Sequence, residues 1–453
     1  CGPLGVVQMA TPAASGGDGV GPRSSKRQGT ATWNPKGAPV HNRRTSSYPN
    51  KGFESISGED PSNKPLANDG AQLAQPSWLQ KQLMGLKDIF VQPLNVLLIF
   101  VPIGIISGKS EWGCLTTFLA NFVAIIPLAA VLGASTEALA AHVGQMLGGL
   151  LNATFGNAVE MIVTINAIKA GMVNVVQQSL IGSILSNLLL VLGMAFLGAG
   201  LVTKESSFNA QGAGTNVSCL VLSSLALTLP TVFSYIPETT EEDGVMLSRI
   251  IALVMGFVYI AFLVFQLRTH ADLFVGEENE EEEEADLAVS TAILMLFGTT
   301  VCVAYCSEFL VDSIDEVSEQ YGLPCSFIGL ILLPIVGNAA EHTTAVTAAY
   351  KGMMDLALGV AVGSSTQIAL FVVPFSVIVG WIYDVPMTLN FQAFDTTVFL
   401  LAVFIASGIL GDGVANWFEG LMLCSTYAIV AIITWFIPAA KEGRELMGIP
   451  GGG

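Results

Sequence analysis

The sequence predicts an all-α polytopic membrane protein of about 11 transmembrane helices, one extra helix followed by two inverted five-helix repeats. Three observations predict it: a composition too apolar for a soluble chain, a series of apolar runs long enough to cross a bilayer, and polar motifs recurring at one offset. Of 453 residues, 52% are hydrophobic and 12% charged, about half the charged fraction of soluble domains. Eighteen basic against 36 acidic side chains give a net charge of -18, which disfavours nucleic acid as a partner. The seven cysteines form no CxxC pair and there are four histidines. A disulfide framework, a zinc module and a haem attachment site are therefore not expected. Cys302 and Cys306, four apart in an apolar run, read as small buried side chains.

Residues 1–87 hold 10 of the 18 Lys/Arg and five acids among Gly, Pro, Ser, Asn and Gln. Such a segment cannot bury enough apolar surface to fold, so it reads as a disordered basic tail, without the apolar h-region of a secretory signal. The chain starts at Cys1, so no targeting is read from that end. Apolar runs follow, each judged against the roughly 20 residues that a helix needs to cross. They are Phe90 to Ser107, the extra helix of segment 88–110, and then Trp112 to Leu132, Val143 to Ile168, Val173 to Val202, Thr215 to Tyr235 and Val245 to Leu267 within 111–270. Segment 271–286 carries an acidic run, Glu277 to Asp286, in which only Asn279 and Ala285 are not acidic; it reads as a solvated linker. Leu287 to Leu310, Cys325 to Tyr350, Leu356 to Trp381, Phe391 to Leu410 and Trp417 to Pro438 fill 287–440, before a short tail at 441–453. Continuous rather than alternating hydrophobicity excludes a barrel.

Five runs stand on either side of the acidic segment, which prompts a search for related halves. Gly156-Asn157-Ala158-Val159-Glu160 recurs as Gly337-Asn338-Ala339-Ala340-Glu341, 181 residues on. At the same offset Gly182-Ser183-Ile184-Leu185-Ser186 meets Gly363-Ser364-Ser365-Thr366-Gln367, and Asn174 meets Asp355. Two motifs sharing one offset are hard to obtain by chance. An odd number of crossings per half makes the copies antiparallel, hence inverted.

The repeated residues carry the chemistry. An acid at mid-membrane costs roughly 2.5 to 3.5 kcal/mol on the lenient insertion scale, so Glu160 and Glu341 mark a site. Asn157 and Asn338 precede them by three residues, which puts amide and carboxylate on one helix face. The preceding glycines loosen the helix and free carbonyls toward a cavity. Ser183, Ser186 and Asn187, with Ser364 and Gln367 in the other half, add neutral oxygens. Two carboxylates within such a shell suit a hard divalent cation, and calcium takes six to eight oxygens in forgiving geometry. Thiolate ligands, which would favour copper or a dedicated zinc site, are absent from the motifs. A proton-linked role and a plain hydrogen-bonded role both stand for His342. Glu137 and Asp315 fall near span ends and read as interfacial.

Gly156 to Glu160 with Gly182 to Asn187, and Gly337 to His342 with Gly363 to Gln367, resemble the signatures of the vacuolar cation/proton exchangers, the CAX branch of the Ca2+/cation antiporter superfamily. The likeness runs from about Gln75 to Ala440. It implies 11 spans with the first outside the repeat, and Ca2+ moved from the cytosol into an acidic compartment against protons. It also implies a cation held between Glu160 and Glu341, helped by Asn157, Asn338, Ser183, Ser364 and Gln367, with His342 nearby. The acidic run is, by the same resemblance, a cytosolic segment that gathers or regulates Ca2+. The expected membrane is vacuolar or that of another acidic organelle. Ca2+ and protons are then substrates, the bilayer is the surroundings, and neither a cofactor nor an enzymatic activity is expected.

Two ionised glutamates facing one cavity repel each other, so the pair holds either a cation or protons. That alternation couples the two fluxes, and rocking of the Glu-bearing spans supplies alternating access. Lys and Arg near the spans divide evenly between the two faces, so orientation rests on the resemblance rather than on the positive-inside rule. Exchange of Mn2+ for H+ or of Na+ for Ca2+ by the same fold, and a cation channel, are the competing readings.

Overall fold

The structure, a computed structural model, describes residues 78–274 and 287–437. The basic tail through residue 77, the acidic run and the C-terminal tail lie outside them. Among the described residues the regular structure is helical, apart from one two-residue ladder. Helix α1 is Trp78–Phe90 and α2 is Pro93–Lys109, bent from it by 86°. The first half continues with α3 Cys114–Ala140, α4 Gln145–Phe155, α5 Ala158–Lys169, α6 Val173–Gly200, α7 Ala210–Phe233 and α8 Glu241–Thr269. The second half comprises α9 Val289–Tyr321, α10 Cys325–Gly337, α11 Ala339–Tyr350, α12 Met354–Ile382, α13 Ala393–Ile409 and α14 Trp417–Phe436. Every expected span falls on one of these helices or on a bent pair of them.

Two boundaries differ from the sequence reading. Helix α1 crosses the expected tail limit at residue 87, because Leu79, Leu83, Leu86 and Phe90 recur at helical spacing and form an apolar stripe. Helix α3 runs on to Ala140 rather than stopping at Leu132. Its final turns carry Ser135 and Thr136, which donate to Val131 O and Leu132 O at 2.6 and 2.8 Å and so need no outside partner. Glu137 and Asp315 are both solvent-exposed.

The repeat is visible in the helix limits. Helices α5 and α11 begin at 158 and 339 and end at 169 and 350, an offset of 181 at both ends. The inversion is visible in the connections. At one face His142 Nε2 lies 2.6 Å from Leu287 O, and the Asn209 backbone N–H donates to Asp355 Oδ1 at 2.7 Å. This face, which flanks the acidic run, receives the starts of α4 and α12. At the other face Gln177 Nε2 donates to Thr388 O and Asn390 O at 2.8 and 3.1 Å, so α6 starts there, as α10 does. Mates in the two halves therefore run in opposite directions.

Helices α6 and α12 form the centre, and α8 and α14 the perimeter. Of the most apolar 18-residue window, 83% is buried in α6 but only 22% in α8, the more hydropathic of the two. Phe257 and Ile260 of α8 are 71% and 62% exposed. An apolar exterior around a more polar centre is the arrangement that a lipid solvent favours. A short ladder, β1 Ser206–Ser207 against β2 Val414–Ala415, ties the α6–α7 link to the α13–α14 link.

Candidate functional site

The site grows out of two interrupted helices. Helix α4 bends into α5 by 41° and α10 into α11 by 55°, with Asn157 and Asn338 at the breaks. Their backbones, at φ -104°, ψ 21° and φ -89°, ψ 15°, lie in the sparsely populated bridge region. This corrects one expectation. Each asparagine stands just outside the following helix instead of sharing a face with its glutamate. The polar groups are thus gathered around a helix start, where backbone N–H groups are unbonded and the helix dipole favours negative charge.

Asn-x-x-Glu at a helix start normally closes into a reciprocal cap, the asparagine accepting from the third N–H and the glutamate from the asparagine N–H. Neither asparagine at the breaks makes a capping bond. Instead Asn157 Oδ1, both oxygens of Glu160, Asn338 Oδ1 and Glu341 Oε2 are buried without a hydrogen-bond partner. Glu160 is 8% exposed, Asn157 1% and Asn338 0%. Buried carboxylates cost several kcal/mol each unless something neutralises them, so this set of unused oxygens fits a cation or protons. Gly337 brings the second break up to the first glutamate: a Cβ there would lie 2.9 Å from Glu160 Oε1. Beside Glu160 a cavity of about 30 Å³ is lined by Thr164, Ser179, Ser183 and Gly337 together with apolar side chains that include Ile125, Val163, Leu310 and Leu333, a volume that holds one water.

The central helices hold the asparagines in place. Asn338 Nδ2 donates to Ser183 O at 3.1 Å, and Asn157 Nδ2 to Gln367 Oε1 at 2.8 Å. Each amide donor is thereby fixed to the opposite half, which leaves its oxygen free. Asn187 Nδ2 donates to Ser364 Oγ at 2.9 Å. Ser186, fully buried, opens a π-helical turn over Ser186–Val191, and Ile368–Val372 forms another directly after Gln367. Such wider turns recur at functional sites. His342 Nδ1 lies 2.7 Å from Asn338 O, while its Nε2 is buried without a hydrogen-bond partner. Among the described residues no three His, Cys, Asp or Glu side chains are grouped so as to hold a metal ion. The charge comes from two glutamates and the remaining donors are neutral oxygens, a hard-cation set.

Sequence reasoning missed Ser365, Thr164 and Ser179. Ser365 Oγ donates to Ile184 O at 3.3 Å, across the pseudo-twofold, to the residue it matches in the repeat. Its mate is apolar, so the repeat did not single it out. Thr164 falls on Ala345 at the repeat offset and was hidden for the same reason.

The Sodium/calcium exchanger protein family profile matches residues 114–268 and 291–436. The chain belongs to this family. The two matched segments correspond to α3–α8 and α9–α14, and leave α1 and α2 outside. The Schizosaccharomyces pombe vacuolar calcium ion transporter is 45% identical over 349 residues, 76% of this chain and 85% of that protein. The Ca(2+)/H(+) antiporter of Synechocystis is 44% identical over 362 residues, 76% and 97% of the two chains. Among solved structures, native YfkE shares 37% identity with a TM-score of 0.67, covering 76% of this family member and all of that chain.

Proposed function

We infer that this exchanger-family chain is a secondary active antiporter. It moves cytosolic Ca2+ into an acidic compartment, in a vacuolar or similar membrane, in exchange for protons. The observation that carries the reading is the pair of uncapped Asn-x-x-Glu starts, whose asparagine and glutamate oxygens are buried without a hydrogen-bond partner. Relatives named as a vacuolar calcium ion transporter and a Ca(2+)/H(+) antiporter support the choice of cargo. Glu160 and Glu341 supply the charge. Asn157 Oδ1 and Asn338 Oδ1 complete the inner donors, and Ser183, Ser186, Asn187, Ser364 and Gln367 form the polar wall that fixes them. Ca2+ neutralises the glutamate pair from one side and protons neutralise it from the other. Because a bare pair is costly, one cargo leaves as the other arrives. A pH difference of one unit drives this with about 1.4 kcal/mol per proton. His342 takes part through the Asn338 carbonyl it contacts. Both cargoes are substrates, and no resident cofactor or covalent chemistry enters the cycle.

The test is uptake of radiolabelled Ca2+ into acid-loaded vesicles containing the purified protein. Uptake is expected to need the pH difference, to stop with a protonophore, and to be competed by unlabelled Ca2+. Uptake indifferent to a collapsed proton gradient would point to a channel. Stronger competition by Mn2+, or a requirement for Na+, would change the cargo and leave the site intact.

A further inference from the structure

Helix α1 stands outside both repeats, and its side chains divide into three faces. At about 100° per residue, Gln82, Gly85 and Ile89 share one direction, and Leu79, Leu83 and Phe90 lie about 110° round from it. Gln80, Lys81, Met84, Lys87 and Asp88 fill the remaining arc. The first face meets the bundle. Gln82 and Gly85 are buried, and Gln82 Oε1 accepts the Ala288 N–H at 2.8 Å. Ala288 is the residue that caps the start of α9, so Gln82 does from another helix what the acid of a capping box does from its own. With His142 on the Leu287 carbonyl, the chain is held at two successive residues directly after the acidic run. The second face is uncovered: Leu79, Leu83 and Phe90 are 59%, 57% and 45% exposed. The corner that follows is built into the sequence. Pro93 cannot continue α1 and drives Gln92 to extended backbone at φ -70°, ψ 145°, and Asn95 Nδ2 donates back to Ile89 O. Because α2 crosses the bilayer, the 86° bend lays α1 along the membrane surface.

We propose that α1 is an in-plane anchor: its Leu79–Leu83–Phe90 edge is seated in the acyl chains of the leaflet on the acidic-run side, with Lys81 and Lys87 at the phosphates of anionic lipids. Three features select lipid as the occupant. The edge runs on, through the exposed Val91, Val96 and Ile99, into the outer surface of α2, which the bilayer surrounds. It also lies where a span leaves the hydrocarbon, since only Val91 and Gln92 separate α1 from α2. Last, an apolar edge beside a lysine-bearing polar face is the pattern of an interfacial helix, and the lysine stems let their ammonium groups reach the headgroups. Through Gln82 the leaflet then fixes the height at which the chain re-enters the bundle after the acidic run. The anchor is independent of the ion that the central site carries.

Photocrosslinking reads the occupant directly. A diazirine-bearing leucine analogue is placed singly at positions 79, 80, 83, 84 and 90 of the full chain, in vesicles of phosphatidylcholine and phosphatidylserine, and the adducts are identified by peptide mass spectrometry. Positions 79, 83 and 90 are expected to give lipid adducts about fivefold more often than 80 and 84, which face water. Lys81→Gln combined with Lys87→Gln is expected to lower the phosphatidylserine share of those adducts about fivefold. Adducts that join 79, 83 or 90 to residues 1–77 of the same chain, or to a second copy, would name another occupant and overturn the proposal. Equal labelling of all five positions would overturn it too. Hydrogen exchange tests the hold on the acidic run. With Leu79→Gln, Leu83→Gln and Phe90→Gln combined, the backbone amides of residues 287–290 are expected to exchange about tenfold faster in vesicles. Unchanged exchange would overturn the link between the anchor and the end of the acidic run.

Discussion

Asn416-Trp417-Phe418-Glu419 and Asn157-Ala158-Val159-Glu160 carry the same four-residue pattern at the start of a helix, and the protein uses them in opposite ways. At α14 the box closes: the Asn416 N–H donates to Glu419 Oε2 at 3.2 Å, and the Glu419 N–H to Asn416 Oδ1 at 3.1 Å. At α5 and α11 it stays open. The difference lies in how the chain arrives. Asn416 is extended, at φ -135°, ψ 162°, as a capping residue must be for its side chain to turn back on the helix. Asn157 and Asn338 are delivered by a preceding helix through a bend of 41° or 55°, which leaves them in the bridge region instead of extended and turns their amides toward the other half. An Asn-x-x-Glu segment entered from a loop thus serves its own backbone, and one entered from a helix keeps its oxygens for a ligand.

Breaking the comparison at the carboxylates should have the largest effect. Glu160→Gln and Glu341→Gln keep the size and hydrogen bonding of the side chain but remove its charge. Each is expected to abolish proton-driven Ca2+ uptake with normal membrane insertion, whereas Glu419→Gln should transport at close to the parent rate. Near-normal uptake by either inner variant would show that the two glutamates do not share one cargo.

The asparagines sharpen it. Asn157→Ala and Asn338→Ala should each weaken apparent Ca2+ affinity by about tenfold, since water replaces a lost amide oxygen only in part. The double variant should differ from the sum of the two, because both act on one ion. Additive losses in uptake titrations, or one silent asparagine, would separate the motifs and make Glu341 with His342 the better candidate for a proton path.

Stability should respond in the reverse order. Asn416→Ala removes a working cap and is expected to cost about 1 kcal/mol, seen as a lower melting temperature in detergent with unchanged Ca2+ affinity. Asn157→Ala removes no cap and should shift melting less. If Asn157→Ala instead melts early and binds Ca2+ normally, its role is structural.

The smallest effect is expected from the acidic run. Replacing its seven glutamates with Gln should leave expression and melting unchanged and move only the Ca2+ concentration for half-maximal uptake. Complete loss of uptake in a well-expressed variant would place the run within the transport core.

The sequence alone determined the class of fold, the repeat and the two charged positions, for a physical reason in each case. A bilayer demands long apolar helices. It makes a buried glutamate too costly to keep without a use. A polar motif repeated at one offset survives averaging over individual substitutions. Asn157, Glu160, Asn338 and Glu341 were legible on those grounds. Tertiary structure alone decided that the asparagines stand outside their helices, because the path of the preceding segment sets φ and ψ at a break and no local residue does. It also decided that Ser365 and Ile184 meet on the pseudo-axis, although one of the pair carries no polar side chain. Last, it decided that Gly182 is covered by Leu330 O while Gly363 is open: one sequence repeat supports both packings, and only the arrangement of whole helices chooses between them.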